Sequence, residues 1–277
     1  MSSPDRHNPL KGRGAASNPA GRFEPTRSEW VDDGWGILDE PLPKLVTEVT
    51  PESAKTIITR NRSPDIPFTQ SINPYRGCEA ACAYCYARPA HAYVNLLPGL
   101  DFETRLFYKK DAAALLGKEL SARNYRCSPI ALGTNTDPYQ PIERRYRVTH
   151  DILELLSACN HPATIVTKGA AVIARDIDLL ADMARRRLVS VFISITTLDP
   201  NLKRTLEPRA ASPRARPDIV RRLHDAGIPV GVMIAPVIPF LTDHETESIL
   251  EAAREAGATG CTVVSNARGE GAEAPSS

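Results

Sequence analysis

The 277-residue chain is 42% hydrophobic and 24% charged, with a formal net charge of +1. Such a composition fits one large or two small globular domains, and it excludes a global electrostatic drive toward nucleic acid or a lipid surface. There is no run of eighteen apolar residues and no apolar stretch near the N-terminus, so a membrane span is excluded and a cytoplasmic location is expected. In that reducing compartment six cysteines point to metal or core roles rather than to disulfides.

Residues 1–66 are poor in apolar periodicity and rich in Gly, Pro, Ser and Arg, which predicts an irregular or partly disordered extension. Its basic, glycine-rich stretch 11–22 reads as a solvated tail, as an arm on a partner's surface, or as an ordered cover of the core. Val and Ile within 44–59 suit short strands. The core is expected over 67–265. A strand over 68–75 delivers a cysteine-bearing loop, and helices are predicted over 83–94 and 111–122.

A second strand over 129–133 is followed by the polar loop Thr134-Asn135-Thr136-Asp137. Thr149 is a candidate N-cap for the next helix, with Val148, Ile152, Leu155, Leu156 and Cys159 forming one buried stripe. The third strand, 163–167, ends at Lys168, and its helix places Ile173, Ile177, Leu180 and Ala184 on one face. The fourth strand, 188–196, is nearly continuous in apolar residues, as a strand covered on both faces is. After the Leu206-Glu207-Pro208-Arg209 loop a helix ends at Gly227, before a fifth strand over 230–237. Thr242 and Glu245 have capping-box spacing, and a sixth strand is expected over 259–264. Alternating strands and helices with short connections predict a parallel sheet. Residues 266–277 read as a disordered tail. The absence of a helix after the sixth strand implies an exposed edge there, and fits either a truncation or shifted reading frame near Gly260 or a naturally short form.

The chemistry concentrates at Cys78, Cys82 and Cys85, a C-x3-C-x2-C spacing with Tyr84 before the third cysteine. Three thiolates on one short loop can close on one metal centre. They are one too few for a four-cysteine iron–sulfur cluster, and an open metal position suggests catalysis. A structural zinc site with His91 as fourth ligand, at C-x3-C-x2-C-x5-H, is the alternative. Cys127, Cys159 and Cys261 lack ligand spacing, and Cys159 is expected in the core.

This spacing, with Ser71-Ile-Asn-Pro-Tyr-Arg-Gly-Cys78 before it and Tyr84-Cys85-Tyr86-Ala-Arg88 at its end, resembles the radical S-adenosylmethionine (SAM) superfamily, in its spore-photoproduct-lyase-like, or DNA repair photolyase-like, branch. The likeness runs from about Gly12 to about Gly257. It implies an α/β fold, an open, partial (β/α)6 TIM-like barrel with its site at the C-terminal ends of the strands. It also implies a [4Fe–4S] cluster on Cys78, Cys82 and Cys85, SAM on the open iron, and a 5′-deoxyadenosyl radical that abstracts hydrogen from substrate. A reduced flavodoxin or ferredoxin-type protein would be the electron donor.

Tyr84 would pack on the adenine, or simply pack the loop. Thr134, Asn135, Thr136 and Asp137 would bind the SAM amino group, or merely form a turn. Lys168 would pair with the carboxylate, Ser194 and Thr196 would bond the ribose, and Arg209 suits a carboxylate or phosphate. The chain departs from the branch twice. Ala80-Ala81 stands where many members carry His-Gly, and Thr134 stands where photoproduct reversal needs a hydrogen-donating cysteine.

Seven basic residues over 203–222 oppose Glu207 and Asp218, a surplus that would track a phosphate backbone or form a solvated helix face. Three functions compete: a radical SAM enzyme acting on an unknown substrate, with nucleic acid as the candidate class; a non-catalytic iron–sulfur or zinc protein; and a metal-independent nucleic-acid-binding module.

Overall fold

The computed structural model describes residues 12–15, 46–64 and 66–265. The expected tail 266–277 and most of the extension, including all of the basic stretch 11–22 except 12–15, lie outside the described residues. No helix among the described residues is long and apolar enough to cross a membrane.

The chain begins with short strands: β1 (Glu48–Glu52), β2 (Thr59–Arg60), β3 (Gln70–Ile72) and β4 (Tyr75–Arg76). The single strand expected over 68–75 is two strands in two sheets. Pro74 lacks the N–H that a continuing ladder needs. β4 instead pairs with β5 (Arg105–Lys109), which follows the short helix α1 (Asp101–Thr104). β1 pairs with the other edge of β5, giving a small sheet ordered β1-β5-β4.

Beyond β5 the chain alternates regularly: α2 (Ala112–Leu120), β6 (Ile130–Leu132), α3 (Glu143–Tyr146), α4 (Val148–Ala158), β7 (Ala163–Thr167), α5 (Ala170–Ile173), α6 (Ile177–Arg185), β8 (Val189–Ser194), α7 (Pro200–Leu206), α8 (Ala215–Asp225), β9 (Val230–Val237), α9 (Thr246–Glu255) and β10 (Gly260–Ser265). The large sheet is ordered β10-β9-β8-β7-β6-β3-β2. All its pairs are parallel except the antiparallel edge pair β2–β3. This is the expected partial (β/α)6 barrel.

Successive residues of a strand face opposite sides. Ile165, Val191 and Ile193 are fully buried on one side, joined in one core with Leu116, Ile152, Leu156, Leu180, Met183 and Leu223 of the helices. Thr164, Val166, Ser190 and Phe192 on the other side are only half-buried. β10 is exposed along its whole length.

Local expectations fail at several element ends, where other partners claim the capping groups. Arg147, with φ of 54°, precedes α4, and the Glu143 carboxylate accepts from the Thr149 and His150 amides at 3.0 and 3.1 Å. The Thr149 hydroxyl donates to Pro138 O instead of capping. Cys159 terminates α4 and is exposed, while Leu153 is fully buried and widens the stripe. The capping box does not form: Thr242 Oγ1 accepts from Ile238 N, and Glu245 accepts from Thr197 Oγ1 and Leu198 N. The helix expected over 83–94 reduces to a 3-10 segment, Arg88–Val94.

Gly133 ends β6 with φ of +93°, and a Cβ there would lie 2.0 Å from Val166 O. Gly133→Ala therefore meets both backbone strain and a backbone clash, and should cost about 2–4 kcal/mol in urea unfolding. Gly117→Ala in α2 meets only ordinary contact with Leu155 at 3.6 Å, and should stabilise by about 0.5–1 kcal/mol in the same assay.

Candidate metal and cofactor site

The cysteine loop leaves β4 and is held mostly from outside. Cys78 N donates to Phe102 O at 2.9 Å, Glu79 N to Gln140 Oε1 at 2.8 Å, and Ala83 N to Leu206 O at 2.9 Å. Gln140 Nε2 returns to Gly77 O, and Arg88 Nη2 donates to Cys82 O at 2.7 Å. Ala81 takes the left-handed region, with φ of 58°. Cys78 is buried, and Cys82 and Cys85 are half-buried. The three pack with Ala80, Ala87, Phe102 and Ala210 in a small apolar cluster apart from the main core.

Burial pushes all three thiols up: Cys78 well above its usual range, Cys82 to about 12, and Cys85 upward as well. As thiolates they require a strongly cationic partner in the same pocket.

Donor geometry tests the zinc alternative. Thiolates on one tetrahedral zinc, with Zn–S of about 2.3 Å, lie about 3.8 Å apart. Among the described residues, the group of His, Cys, Asp or Glu whose ligand atoms all fall within 4.8 Å of one another is His150, Asp151 and Glu154, not the cysteines. At least one Sγ–Sγ separation in the trio therefore exceeds 4.8 Å. His91 is fully buried with its Nε2 at Arg105 O, 2.9 Å away, and its ring edge-on to Phe102 and Phe107. It belongs to the packing beneath the loop.

Opposite the loop stands Glu207, just after α7 and fully buried. Its carboxylate accepts from Arg216 Nη2, Tyr84 OH and Thr196 Oγ1, and lies 3.8 Å from Lys168 Nζ. Arg216, on α8 and equally buried, also donates to Ser194 O at 3.0 Å and Ala211 O at 3.2 Å. Lys168 donates to Ser194 Oγ at 2.6 Å, and its ammonium lies 6.0 Å from the Tyr84 ring centroid. Three of the predicted residues, Tyr84, Lys168 and Thr196, thus converge on one carboxylate, and the fourth, Ser194, accepts from its cationic partners Lys168 and Arg216.

Burial alone would raise the Glu207 pKa, but Arg216 and Lys168 outweigh it and bring it down to about 2. Burial likewise opposes charge on Arg216, and Glu207 restores it with a net upward shift.

The loop after β6 faces two ways. Thr134 Oγ1 and Asn135 N meet Asn73 Oδ1, and the Thr134 carbonyl accepts from Tyr86 OH. Thr136 Oγ1 donates to Tyr75 O, tying the loop to β4. Asp137 accepts from Tyr139 N, Thr167 Oγ1 and Lys168 N, tying it to β7. Arg209 pairs with Glu79, which also accepts from Thr47 Oγ1 at 3.0 Å. A cleft of about 310 Å³ opens between the cysteine loop and these strand ends. Ala80, Asp137, Gln140, Lys168, Gly169 and Arg209 line it, with Arg144 at its rim.

Sequence reasoning missed Glu207 and Arg216 as a pair. Leu206-Glu-Pro-Arg209 stood out for its arginine, and Arg216 was one of seven basic residues. Two of those seven, Lys203 and Arg216, are buried, and Arg209 and Arg221 are ion-paired, so the segment presents no continuous basic face.

The radical SAM superfamily profile matches residues 72–253. An uncharacterized protein of Mycobacterium tuberculosis is 42% identical over 200 residues, covering 72% of this chain and 58% of that protein. One of Methanocaldococcus jannaschii is 30% identical over 202 residues, covering 72% and 71%. The chain thus spans less than two thirds of its mycobacterial relative. Among solved structures, a spore photoproduct lyase variant with bound AdoMet and dinucleoside spore photoproduct superposes with a TM-score of 0.54 at 20% identity, covering 78% of this chain and 60% of that one. Another variant reaches 0.56 at 18% identity with the same coverage; at these identities the likeness is one of fold. The chain belongs to the radical SAM superfamily.

The Glu207–Arg216 pair yields a signed prediction. A carboxylate held near 2 contributes stability that is complete above its unfolded value of about 4.5 and is lost as pH falls from there toward 2. Glu207→Gln should remove that acid dependence. It also strands a buried guanidinium, so stability at pH 7 should fall by about 3–5 kcal/mol in denaturant titration.

Proposed function

We propose that this protein is a radical SAM enzyme in which Cys78, Cys82 and Cys85 hold a [4Fe–4S] cluster and the barrel mouth beside them holds SAM. The observation that carries the reading is the juxtaposition of three thiols on one loop, one buried and two half-buried, with a ring of polar side chains gathered around Glu207. When bound and reduced, the pair supplies a 5′-deoxyadenosyl radical that abstracts a hydrogen atom from substrate.

The chain's own residues would orient and shield that chemistry. Tyr84, its phenol fixed on Glu207 and Thr196, would lay its ring against the adenine. The Lys168 ammonium has three donors and uses one on Ser194, so it can also face the methionine carboxylate. Ser194 and Thr196 would serve the ribose hydroxyls. Thr134, Asn135, Thr136 and Asp137 would form the amino-group subsite, with Thr136 and Asp137 chiefly bracing the half-exposed Thr134 and Asn135. Arg209, held by Glu79, would meet a carboxylate or phosphate at the cleft wall. Arg144, Lys168 and Arg209 outnumber Asp137 among the charged residues lining the cleft, which supports an anionic substrate; nucleic acid is the proposed class, with a reduced flavodoxin or ferredoxin-type protein as electron donor.

Photoproduct reversal is not assigned. Cys127 precedes the N-terminal end of β6, whereas Thr134 follows its C-terminal end, so no described cysteine stands at the hydrogen-donating position.

After anaerobic reconstitution the protein should be brown, bind about four irons per chain, and release 5′-deoxyadenosine from SAM when reduced with dithionite. Cys82→Ala should release none. A fully loaded wild type that leaves SAM intact would instead be a non-catalytic iron–sulfur protein, and zinc with no iron would overturn the cluster itself.

A further inference from the structure

We infer that Glu103 is a positioning residue for the cysteine loop, and that residues 13–15 are a strap that this carboxylate holds across it. The inference rests on the loop being the cluster site proposed above. The loop supplies little rigidity of its own: its internal amide contacts, Ala81 N to Cys78 O, Cys85 N to Cys82 O and Arg88 N to Cys85 O, are 3.4, 3.3 and 3.5 Å long, near the limit for a hydrogen bond. Three ligands on so loosely bonded a backbone need bracing from elsewhere.

Glu103 lies in α1 with its carboxylate fully buried. Gly14 N donates to Oε2 at 3.1 Å, and Ala15 N and Arg88 Nη2 donate to Oε1 at 2.9 and 2.6 Å. The same Arg88 nitrogen reaches Cys82 O at 2.7 Å, Arg88 Nη1 reaches Gly99 O at 3.1 Å, and the guanidinium carbon lies 5.5 Å from the Phe102 ring centroid. One guanidinium therefore joins the buried carboxylate to the peptide of a ligand cysteine.

The strap closes the arrangement from above. Gly14 crosses the left-handed Ala81 so closely that a Cβ on it would stand 1.9 Å from Ala81 O and 3.2 Å from Ala83 N. Arg13 donates to Glu103 O at 3.0 Å and to Thr47 Oγ1 at 3.1 Å, and Thr47 in turn donates to Glu79, the neighbour of Cys78. Strap, Glu103 and Arg88 thereby brace the loop at both its first and second ligands. A charge-assisted contact here holds ligand geometry before any metal arrives and slows metal loss afterwards.

The test uses the full chain with Glu103→Gln and Gly14→Ala. Hydrogen–deuterium exchange of amides 78–88 in the metal-free protein should speed up about tenfold or more in each variant, the factor for one lost charge-assisted bond. Iron release to a chelator from the anaerobically reconstituted protein should quicken by a similar factor. Glu119→Gln is the control. Its carboxylate accepts from Ile57 N and Ile58 N, so it should lower the thermal midpoint without changing exchange over 78–88. Unchanged loop exchange in both test variants, or equal acceleration in the control, overturns the inference. If Glu103→Gln does not fold, Gly14→Ala decides. If the wild type takes up no iron, the cluster assignment fails, while the exchange data still decide the strap.

Discussion

The buried ion pair between Glu207 and Arg216 is the constraint around which the mouth of this barrel is arranged. Removing two charges from water costs several kcal/mol per ion, and only close pairing with full hydrogen bonding offsets it. Here the requirement is met by recruiting partners from four places: Tyr84 from the cysteine loop, Lys168 after β7, Ser194 and Thr196 at the end of β8, and the Ala211 carbonyl before α8. The need to satisfy one carboxylate and one guanidinium draws together residues that lie far apart in the chain. It leaves Tyr84 and Lys168 facing the same space as the thiols.

Two sheets divide the remaining labour. The parallel sheet, dry on its helix side, sets the loops after β6, β7 and β8 side by side. The small β1-β5-β4 sheet does not extend that barrel. It carries the cysteine loop out of β4 and sets α1 beneath it, so that Phe102 O and Glu103 approach the loop from outside the barrel. The thiols lie between the two sheets' contributions, and neither sheet alone would place them.

The sheet's six parallel strands and most of its helices were legible because their apolar periodicity is strong and their neighbours are close in sequence. The cysteine trio was legible because spacing is itself the signal. β5 was missed although Leu106-Phe-Tyr108 has strand character, since it lies between helix-like segments and pairs only with strands of the extension and of the cysteine approach. Cys159 satisfies a helical stripe, yet it falls where α4 ends and turns outward. Thr149 and Thr242 resemble caps, but Pro138 O and Ile238 N claim their hydroxyls. Glu207 and Arg216 look like surface charges to any local reading, and only the tertiary fold brings a partner to each. The predicted cofactor residues were placed near one another by their shared position at strand ends, whereas the hub joining them was invisible for the reason that hides Glu143 and Glu103: a buried carboxylate is recognised by its donors, and these come from distant segments.

The strand order of the large sheet runs monotonically with the chain, from β2 at one edge to β10 at the other. A polypeptide leaving the ribosome N-terminus first can therefore lay this sheet down by addition at a single advancing border. No strand ever has to be threaded between two that are already joined, and at each moment the unpaired border is the segment most recently made. The cysteine loop, Gln140 and Lys168 are all synthesised well before Glu207 and Arg216, so the thiol pocket acquires its charged wall only once the chain has passed β8, before β9 and β10 are added.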